Sequence, residues 1–523
     1  MTVDDVKELS TKLFMDKAQL NNLWQSIAQI FYPERADFTH RRNIGAEFAD
    51  DLLSSYTIIV RRDLGNSLAP MLRDGDWFEL GVRDQPSHAA SAWLQESTSH
   101  LLRLMNHRST GFIRTTKQAD HDYVTFGQTV LSVQPNRDRD GLLYQNWHLR
   151  DCAWWDGPDG HVEGVIRKWT PTYRMAAKTF GEDKLAPEMR KALQQRTGNL
   201  FKNANFRHLF IPSDMYGDSR FDRFDWVSVW VDIAHDHVIS EVPSNYRMYI
   251  VPRFQTVAGS AYAYSPATVA GLPDGRLLQA MTHTLMEAAE RYARPPLIAQ
   301  AGKVIRGDID LSADGITYVD KEYDDRMGRS LEPLYQDKGG FPIGLEMRDN
   351  VVEVLTRSFY LNKLDLPDKA NMTAYEVKQH MRMFRRENLP LFQPIEEEYS
   401  GQLCELSFDH AQSMGMLGSD RDIPIDLAGE DVTFKFESPL TESEQEEKAQ
   451  LFAQTAEMVA AAYQMDQESK LNINVDQALR DAVLGIGAPT RWINPAEQVM
   501  QAKQAAAAQD MVQQITAMGA QQQ

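Results

Sequence analysis

The sequence predicts a mixed α/β protein that is predominantly helical. Long stretches carry apolar residues at helical spacing, as in residues 3–31, 276–294 and 345–361. Another stretch, residues 125–149, alternates apolar and polar residues on both sides of a polar turn, which is the pattern of a β-hairpin. With 523 residues, the chain is too long for one ordinary core, so we expect roughly two to four substructures.

The helical patterns follow one another with proline and glycine at their ends. Pro33 ends the first, and two further helices are expected over residues 50–72 and 91–105. A second hairpin is expected from residues 224–234 and 246–254, which read FDWVSVWVDIA and YRMYIVPRF. The chain therefore changes from helices to strands near residue 125.

Two strong helical patterns bracket a short β-rich insert. The first, over residues 276–294, is stopped by Pro295 and Pro296 because proline lacks the N–H that a helix needs. Residues 296–344 are rich in Gly and Asp, and residues 345–361 are helical again. Each helix has one face that its own partner does not cover, so we expect a neighbouring copy to cover it.

Composition limits the partners of the chain. The content of 42% hydrophobic and 10% aromatic residues argues against global disorder, and the net charge is −19. Tight binding of nucleic acid needs Lys and Arg to displace counterions from phosphates, so the surface as a whole should repel DNA. Any nucleic-acid contact should be confined to local basic patches.

Sequence features also indicate the compartment. Cys152 and Cys404 lie far apart and match neither a zinc site nor a disulfide framework, which favours a reducing environment. The charged start, MTVDDVKELS, lacks the apolar core of a signal peptide, and no run approaches the ~18 apolar residues of a membrane span. We expect a soluble intracellular protein, or one that is assembled inside a cell.

One helix concentrates positive charge. Residues 371–388 read NMTAYEVKQHMRMFRREN, in which Thr373 and Glu376 have the spacing of a capping box. A basic stripe follows at helical spacing, formed by Lys378, Arg382, Arg385 and Arg386. Two interpretations remain open: the stripe faces DNA, or it pairs with acidic residues of a neighbouring copy.

Motifs of catalysis are weak or absent. The sequence has no phosphate-binding loop, and residues 65–69 resemble a nucleophile elbow only superficially because they lie in a helical pattern. A calcium loop beginning at Asp308 would place Val319 where a glutamate ligand belongs. His235 and His237 could ligate a metal in a hydrolase, but no third ligand can be assigned.

Two other patterns have a structural and a functional interpretation. Trp154 and Trp155 could stack on bases, but their flanking residues favour packing in a core. The acidic run over residues 396–398 could bind a cation, although a solvated helix face is the usual meaning of such a run.

The order of short motifs resembles a known family, the portal or head-to-tail connecting proteins of short-tailed bacteriophages. The resemblance extends from about Trp24 to the Gln-rich end, and it departs from the family at Ala263 and Leu389, where the family usually has glycine. The matching segments are Pro33 with Phe38, DWFEL at 76–80, Asp122 with Phe126 and Gly127, residues 149–160, YIVPRF at 249–254 with 264–266, ARPPLIA at 293–299, MTAYEV at 372–377 and ESPLTESEQEE at 437–447.

This resemblance implies a portal fold assembled as a ring of twelve subunits around a DNA channel. The implied parts are a wing region at 1–275, a first stem helix at 276–295, a clip at 296–344, a second stem helix at 345–361, a tunnel loop at 362–371, a wing-spanning helix and return strand at 372–440, and a crown at 441–523.

The resemblance also implies the partners. The ring would be assembled in the host cytoplasm, occupy one vertex of the virion capsid, and contact the major capsid and scaffolding proteins. Terminase and then tail adaptor proteins would dock on it, while double-stranded DNA passes without sequence specificity. We expect no catalysis, no cofactor, no metal and no membrane association. Another virion component, such as a tail adaptor or an internal core protein, is the alternative.

Three sets of residues are the candidate functional positions. They are the tunnel-loop lysines Lys363 and Lys369, the basic stripe Lys378, Arg382, Arg385 and Arg386, and the clip residues Lys303, Arg306, Asp308 and Asp310.

Overall fold

A computed structural model describes most of the first 293 residues and several later segments. The described residues are 1–41, 43, 45–73, 75–83, 86–194, 201–293, 297–299, 331–333, 340–361, 394–418, 423–427 and 432–436, with the single residues 455, 479, 483, 499, 500 and 502.

The N-terminal helical pattern forms two helices. Helix α1 (Val3–Asp16) begins with a capping box in which the Thr2 side chain accepts from the Asp5 amide at 3.3 Å. Helix α2 (Ala18–Phe31) follows directly. The single helix expected over residues 3–31 is therefore interrupted at Lys17, whose side chain is buried and donates to the carbonyls of Leu149 and Cys152.

Three more helices and a strand follow α2 along the chain. They are α3 (Tyr56–Leu72), β1 (Phe78–Val82), α4 (His88–Met105) and α5 (Phe112–Phe126). Helix α3 begins six residues later than the pattern at 50–72 suggested, and α4 begins three residues earlier than Ser91. Buried apolar residues of these elements form one large core.

The first predicted hairpin is confirmed. Strands β2 (Val130–Pro135) and β3 (Leu142–Trp147) pair antiparallel. Gly127 ends α5 just before them with a positive φ of 80°, and a Cβ there would lie 2.5 Å from the backbone of Tyr264. Only glycine satisfies both the left-handed conformation and this close approach.

A five-stranded antiparallel sheet stands beside this core. Its strands, in spatial and chain order, are β4 (Cys152–Asp156), β5 (Val162–Trp169), β6 (Phe206–Pro212), β7 (Trp226–Asp232) and β8 (His237–Ser244). Between β5 and β7 the chain also forms α6 (Tyr173–Phe180), α7 (Pro187–Gln194) and the short α8 (Ser213–Tyr216).

The second predicted hairpin paired the wrong segments. Strand β7 pairs with β8 through a tight turn at Asp236, whose φ is +50°, and not with the segment that reads YRMYIVPRF. That segment contributes β9 (Tyr249–Ile250), which joins β2. Strand β8 carries Pro243 and four polar residues and was overlooked because its apolar alternation is weak.

Two small apolar clusters cover the sheet. Val6 of α1 packs with Ile166 and Leu209 of the sheet, while residues of α6 and α7 form a separate cluster with Phe206. Trp154 is 1% exposed within the large core, which supports the core interpretation of its pattern. Both cysteines are buried and free.

The last described elements return to the first core. Helices α9 (Leu272–Ala293) and α10 (Gly340–Ser358) begin before the expected residues 276 and 345, because Pro273 and Pro342 are tolerated in a first helical turn. Between them, β10 (Leu297–Ala299) pairs with β11 (Leu331–Pro333). A wide helical turn (Glu396–Gly401) leads into α11 (Gln402–Ser413), and β12 (Val432–Phe436) pairs with β1.

Lys17 makes the stability of the fold depend on pH. Burial lowers the pKa of Lys17 to about 7 from its ordinary value of 10.5. The unfolded chain therefore binds this proton more tightly, so the stability contributed at this position rises between pH 7 and pH 10.5. We expect the unfolding free energy of the native protein, relative to Lys17→Met, to increase by about 2 kcal/mol from pH 7 to pH 9 in urea denaturation.

The exposed α1 residue Lys12 supplies the matched control, because Lys12→Met removes the same charge without a buried amine. Its difference from the native protein should stay constant over this pH range. A constant difference for Lys17→Met as well would contradict the prediction.

Candidate assembly surface

Helices α9 and α10 form an antiparallel pair whose inner ends are packed into the large core. Leu278, Leu355 and Phe359 are buried there, and the Phe359 ring lies 5.3 Å from that of Phe31. A Cβ added at Gly271 would lie 2.9 Å from a Phe359 ring carbon. Apolar contacts therefore hold the inner end of each helix against α2.

Polar contacts fix the same ends in position. The Tyr56 hydroxyl lies 2.6 Å from the Thr356 hydroxyl. The Gln279 side chain accepts from the amides of Leu53 and Ser54 at 2.9 Å and donates to the Ser54 carbonyl at 2.8 Å. The loop before α3 is thus bound to α9, which fixes the direction in which the helix pair leaves the core.

The outer ends of the two helices leave the core. Among described side chains, none is buried on α9 beyond Leu278, and none on α10 before Leu355. The pair stays close along this part, because a Cβ at Gly344 would lie 2.8 Å from the Leu285 side chain. The outer end of each helix therefore contacts the partner helix on one side and is exposed on its other sides.

One of these open faces is apolar. We call Ile343, Met347 and Val354 the outer stripe; their exposed fractions are 60%, 55% and 47%. Their spacing of four and eleven residues places them on one side of α10. The outer stripe borders the side of α10 that holds Val351 and Leu355, which pack in the large core. An apolar surface that extends beyond the covered side of a helix is typical of a bundle in which a neighbour covers the rest.

The charged residues of α10 occupy another side. Glu346, Asp349, Glu353 and Arg357 are exposed, and Arg357 forms a salt bridge with Glu353 one turn away. These side chains are charged and exposed, so water can solvate them. The helix thus separates a solvated side from the outer stripe, which argues that the exposed apolar residues form a contact surface.

The segment that returns after residue 393 is tied deep into the core. The Tyr399 hydroxyl donates to Asp120 at 2.9 Å, and the same carboxylate forms a buried salt bridge with Arg73. Burial raises the pKa of Asp120, and the Arg73 guanidinium and the Tyr399 hydroxyl oppose that shift. On α11, the Ser407 hydroxyl lies 2.7 Å from that of Tyr144.

Arg253 joins three distant parts of the chain. Its guanidinium donates to Glu398 at 2.9 Å and 3.0 Å, to Asp156 at 3.1 Å and to the Gly160 carbonyl at 2.9 Å. The interpretation of residues 396–398 as a solvated face is therefore wrong for Glu398, which pairs inward. The sequence offered no signal for this pair, because 145 positions separate its members.

The predicted functional positions lie outside the described residues. These are the tunnel-loop lysines Lys363 and Lys369, the basic stripe Lys378, Arg382, Arg385 and Arg386, and the clip residues Lys303, Arg306, Asp308 and Asp310. They stay predictions. The described ends on either side of residues 362–393 are both attached to the large core, through Phe359 and through Ile395.

The histidines considered for a hydrolase have other partners. His235 donates from Nδ1 to Asp232 at 2.6 Å, whereas His237 donates from Nε2 to the Lys184 carbonyl at 2.9 Å. In the part of the chain that the structure describes, no three His, Cys, Asp or Glu side chains are grouped as metal ligands.

Residues 65–69 lie inside α3, as their helical pattern indicated. None of the helices in the described ranges is long and apolar enough to cross a bilayer.

These features define an α/β body from which a helix pair with an exposed apolar stripe projects, the kind of surface that contacts another protein in an assembly. The chain belongs to the bacteriophage head-to-tail connecting protein family, which it matches over residues 3–493. This match confirms the resemblance to phage portal proteins and places the protein in the virion capsid. The family is structural rather than enzymatic.

Two known proteins illustrate the similarity. The chain is 20% identical over 419 residues to the portal protein of Salmonella phage epsilon15. This alignment covers 76% of this chain and 72% of that protein. It is also similar to a chain in the virion of the native gene transfer agent particle, at 11% identity and a TM-score of 0.36, over 77% of this chain and 86% of that one.

Removing the central guanidinium should destabilise the body. We expect Arg253→Met to lower the unfolding free energy by about 3 kcal/mol, because Glu398 and Asp156 would keep their partly buried charges without a partner. Arg220→Met is the matched control, since Arg220 bridges Asp218 and Glu241 at the surface. Urea denaturation measures both; equal losses for the two variants would contradict the assigned role of Arg253.

Proposed function

We propose that this protein assembles as a closed ring, expected at twelve copies, that forms the DNA channel of one capsid vertex. The observation that carries the proposal is the outer stripe of α10, an apolar surface that the described part of the chain does not cover. A neighbouring copy placed against this stripe would bury it. Repeating the same contact around an axis closes a ring.

The charge of the chain suits passage of DNA. With a net charge of −19, the ring would repel the phosphate backbone over most of its surface. Strong phosphate contacts would have to be broken at every step of transport, so a largely acidic conduit lowers resistance to movement. Local lysines can still centre the duplex where the channel is narrow.

The parts of the ring follow from the order of the elements. Helices α9 and α10 correspond to the proposed stem. The clip, proposed over residues 296–344, would comprise the chain between the two helices and the first turn of α10, and terminase and later tail adaptors would dock on it. Residues 362–371 would form the tunnel loop and residues 441–523 the crown, on the side facing the capsid interior. Assembly in the host cytoplasm would involve the scaffolding and major capsid proteins, with no catalysis by the portal itself.

Charge placed in the outer stripe should prevent ring formation. We expect Met347→Lys combined with Val354→Lys to reduce the ring fraction at least tenfold, because the lysines would have to be desolvated between copies. Glu346→Gln with Glu353→Gln makes the same change in net charge on the solvated side and should leave rings intact. Mass photometry and electron microscopy measure the ring fraction and count its symmetry.

A native protein that remains monomeric at high concentration would overturn the proposed ring. Labelling the protein in intact particles separates the portal from a tail adaptor or an internal core protein. A single labelled capsid vertex supports the portal, whereas label in the tail or the lumen contradicts it.

The tunnel-loop lysines can be tested independently of ring assembly. We expect Lys363→Glu with Lys369→Glu to leave rings intact but to reduce DNA packaging or retention, because repulsion would replace attraction where the duplex is centred. The control is Lys178→Glu with Lys191→Glu, two exposed lysines of α6 and α7. Unchanged packaged-DNA length and infectivity in the loop variant would remove any role of these lysines in holding DNA.

A further inference from the structure

A wide cleft lies beside the Arg253 cluster, on the body rather than on the helix pair. Its volume is about 980 Å³, and it is bounded by the turn after β4, by residues 245–260 and by the returning segment from Pro394 to Asp409. Five carboxylates and two guanidinium groups line it. The cleft is therefore acidic, and it is large enough for several side chains of a partner.

The charges on its inner wall are already compensated. Arg253 is bound to both Asp156 and Glu398 there. The second guanidinium belongs to Arg247, which lies over the ring of Trp226 at 5.2 Å. The cations of the cleft are thus engaged in contacts of the body itself, and the acidic character is left to the remaining carboxylates.

Three carboxylates of the cleft have no salt bridge among the described residues: Glu397, Glu405 and Asp409. Glu405 and Asp409 stand one turn apart on α11, where like charges repel. Burial raises the pKa of Asp409 to about 6, and the charge of Glu405 adds to that shift. Burial also raises the pKa of Glu405, while Arg247 and His161 oppose the shift. A cation placed between the two carboxylates would offset their mutual repulsion and would stabilise their charged forms.

We propose that this cleft receives the basic segment 378–386 of a neighbouring copy, so that Arg382 and Arg385 pair with Glu405 and Asp409. The inference rests on the proposed ring and names one of its contacts. In a chain with 74 acidic and 55 basic residues, this segment carries four cations within nine positions, the complement of the cleft. Arginine suits the site because its planar guanidinium binds carboxylates through two parallel hydrogen bonds.

The contact would act differently from the outer stripe. An apolar stripe tolerates sliding along its length, whereas paired charges are satisfied at one register only. Each copy would offer its cleft to one neighbour and its basic segment to the other. This is the asymmetric arrangement that a closed ring requires of its contacts.

Charge reversal tests the proposal in both directions. The cleft variant is Glu405→Lys with Asp409→Lys, and the segment variant is Arg382→Glu with Arg385→Glu. We expect each alone to reduce the ring fraction at least tenfold in mass photometry. The two pairs combined in one chain should restore it to within about twofold of the native value, because the same charges meet with their signs exchanged.

Mixing separates a neighbour from the chain's own segment. In an equimolar mixture, the two variants can alternate around a ring with an even number of copies. Each basic cleft then meets an acidic segment and each acidic cleft meets a basic segment, so rings should return. If the segment occupied the cleft of its own chain, every chain in the mixture would still carry one repulsive pair. Rescue by the combined chain without rescue by the mixture would therefore overturn the proposal.

The remaining outcomes are also decisive. Glu182→Lys with Asp183→Lys makes the same charge change at exposed positions and should not affect rings. If the cleft variant fails to fold by circular dichroism, the milder Glu405→Gln with Asp409→Asn replaces it, with a smaller but measurable loss expected. Intact rings in every cleft variant would overturn this contact while leaving the proposed function in place. A native protein without rings would overturn the proposed function itself.

Discussion

The structure depends on one ionic junction, in which Arg253 holds Asp156 and Glu398 together. These residues come from the segment after β9, from β4 and from the returning segment, so a single guanidinium joins the sheet to the last part of the described core. Such a junction is costly to break because its charges are largely removed from water. The buried Asp120, Arg73 and Tyr399 reinforce it from the side of α3 and α5.

A rigid base is what allows the helix pair to project. The inner ends of α9 and α10 are held by Phe31, Phe359 and the Gln279 side chain, whereas their outer ends contact mainly each other. Tyr360 has a φ of +59° just after α10, so the chain turns sharply where the helix ends at the core. The base fixes the direction of the helices, and their open sides remain available to a neighbour.

Sequence patterns predicted the helices and strands that are determined by neighbouring residues. The periodicity of α9 and α10 and the hairpin of β2 and β3 could be recognised from a few neighbouring residues. The partner of β7, the position of β9 and the inward pairing of Glu398 depend on contacts between distant segments, which no short window contains. The interruption at Lys17 is of the same kind, since its cause is the carbonyl pair of Leu149 and Cys152. The candidate assembly surface was foreseen as an uncovered helix face, but its residues required the exposure of each side chain.

The outer stripe alone is too small to hold a ring together. Full burial of a large apolar side chain contributes about 1.5 to 3 kcal/mol, and Ile343, Met347 and Val354 are only about half exposed, so the three together supply about 3 kcal/mol. Association of two copies costs at least about 4 kcal/mol in lost freedom of motion. Further contacts must therefore contribute to the free energy of association. Closure of the ring also stabilises the assembly, because the last copy forms two interfaces while it loses its freedom of motion only once. The two proposed contacts would then have different roles. Apolar contact on the stem favours association, and charge pairing on the body selects the register in which the ring closes.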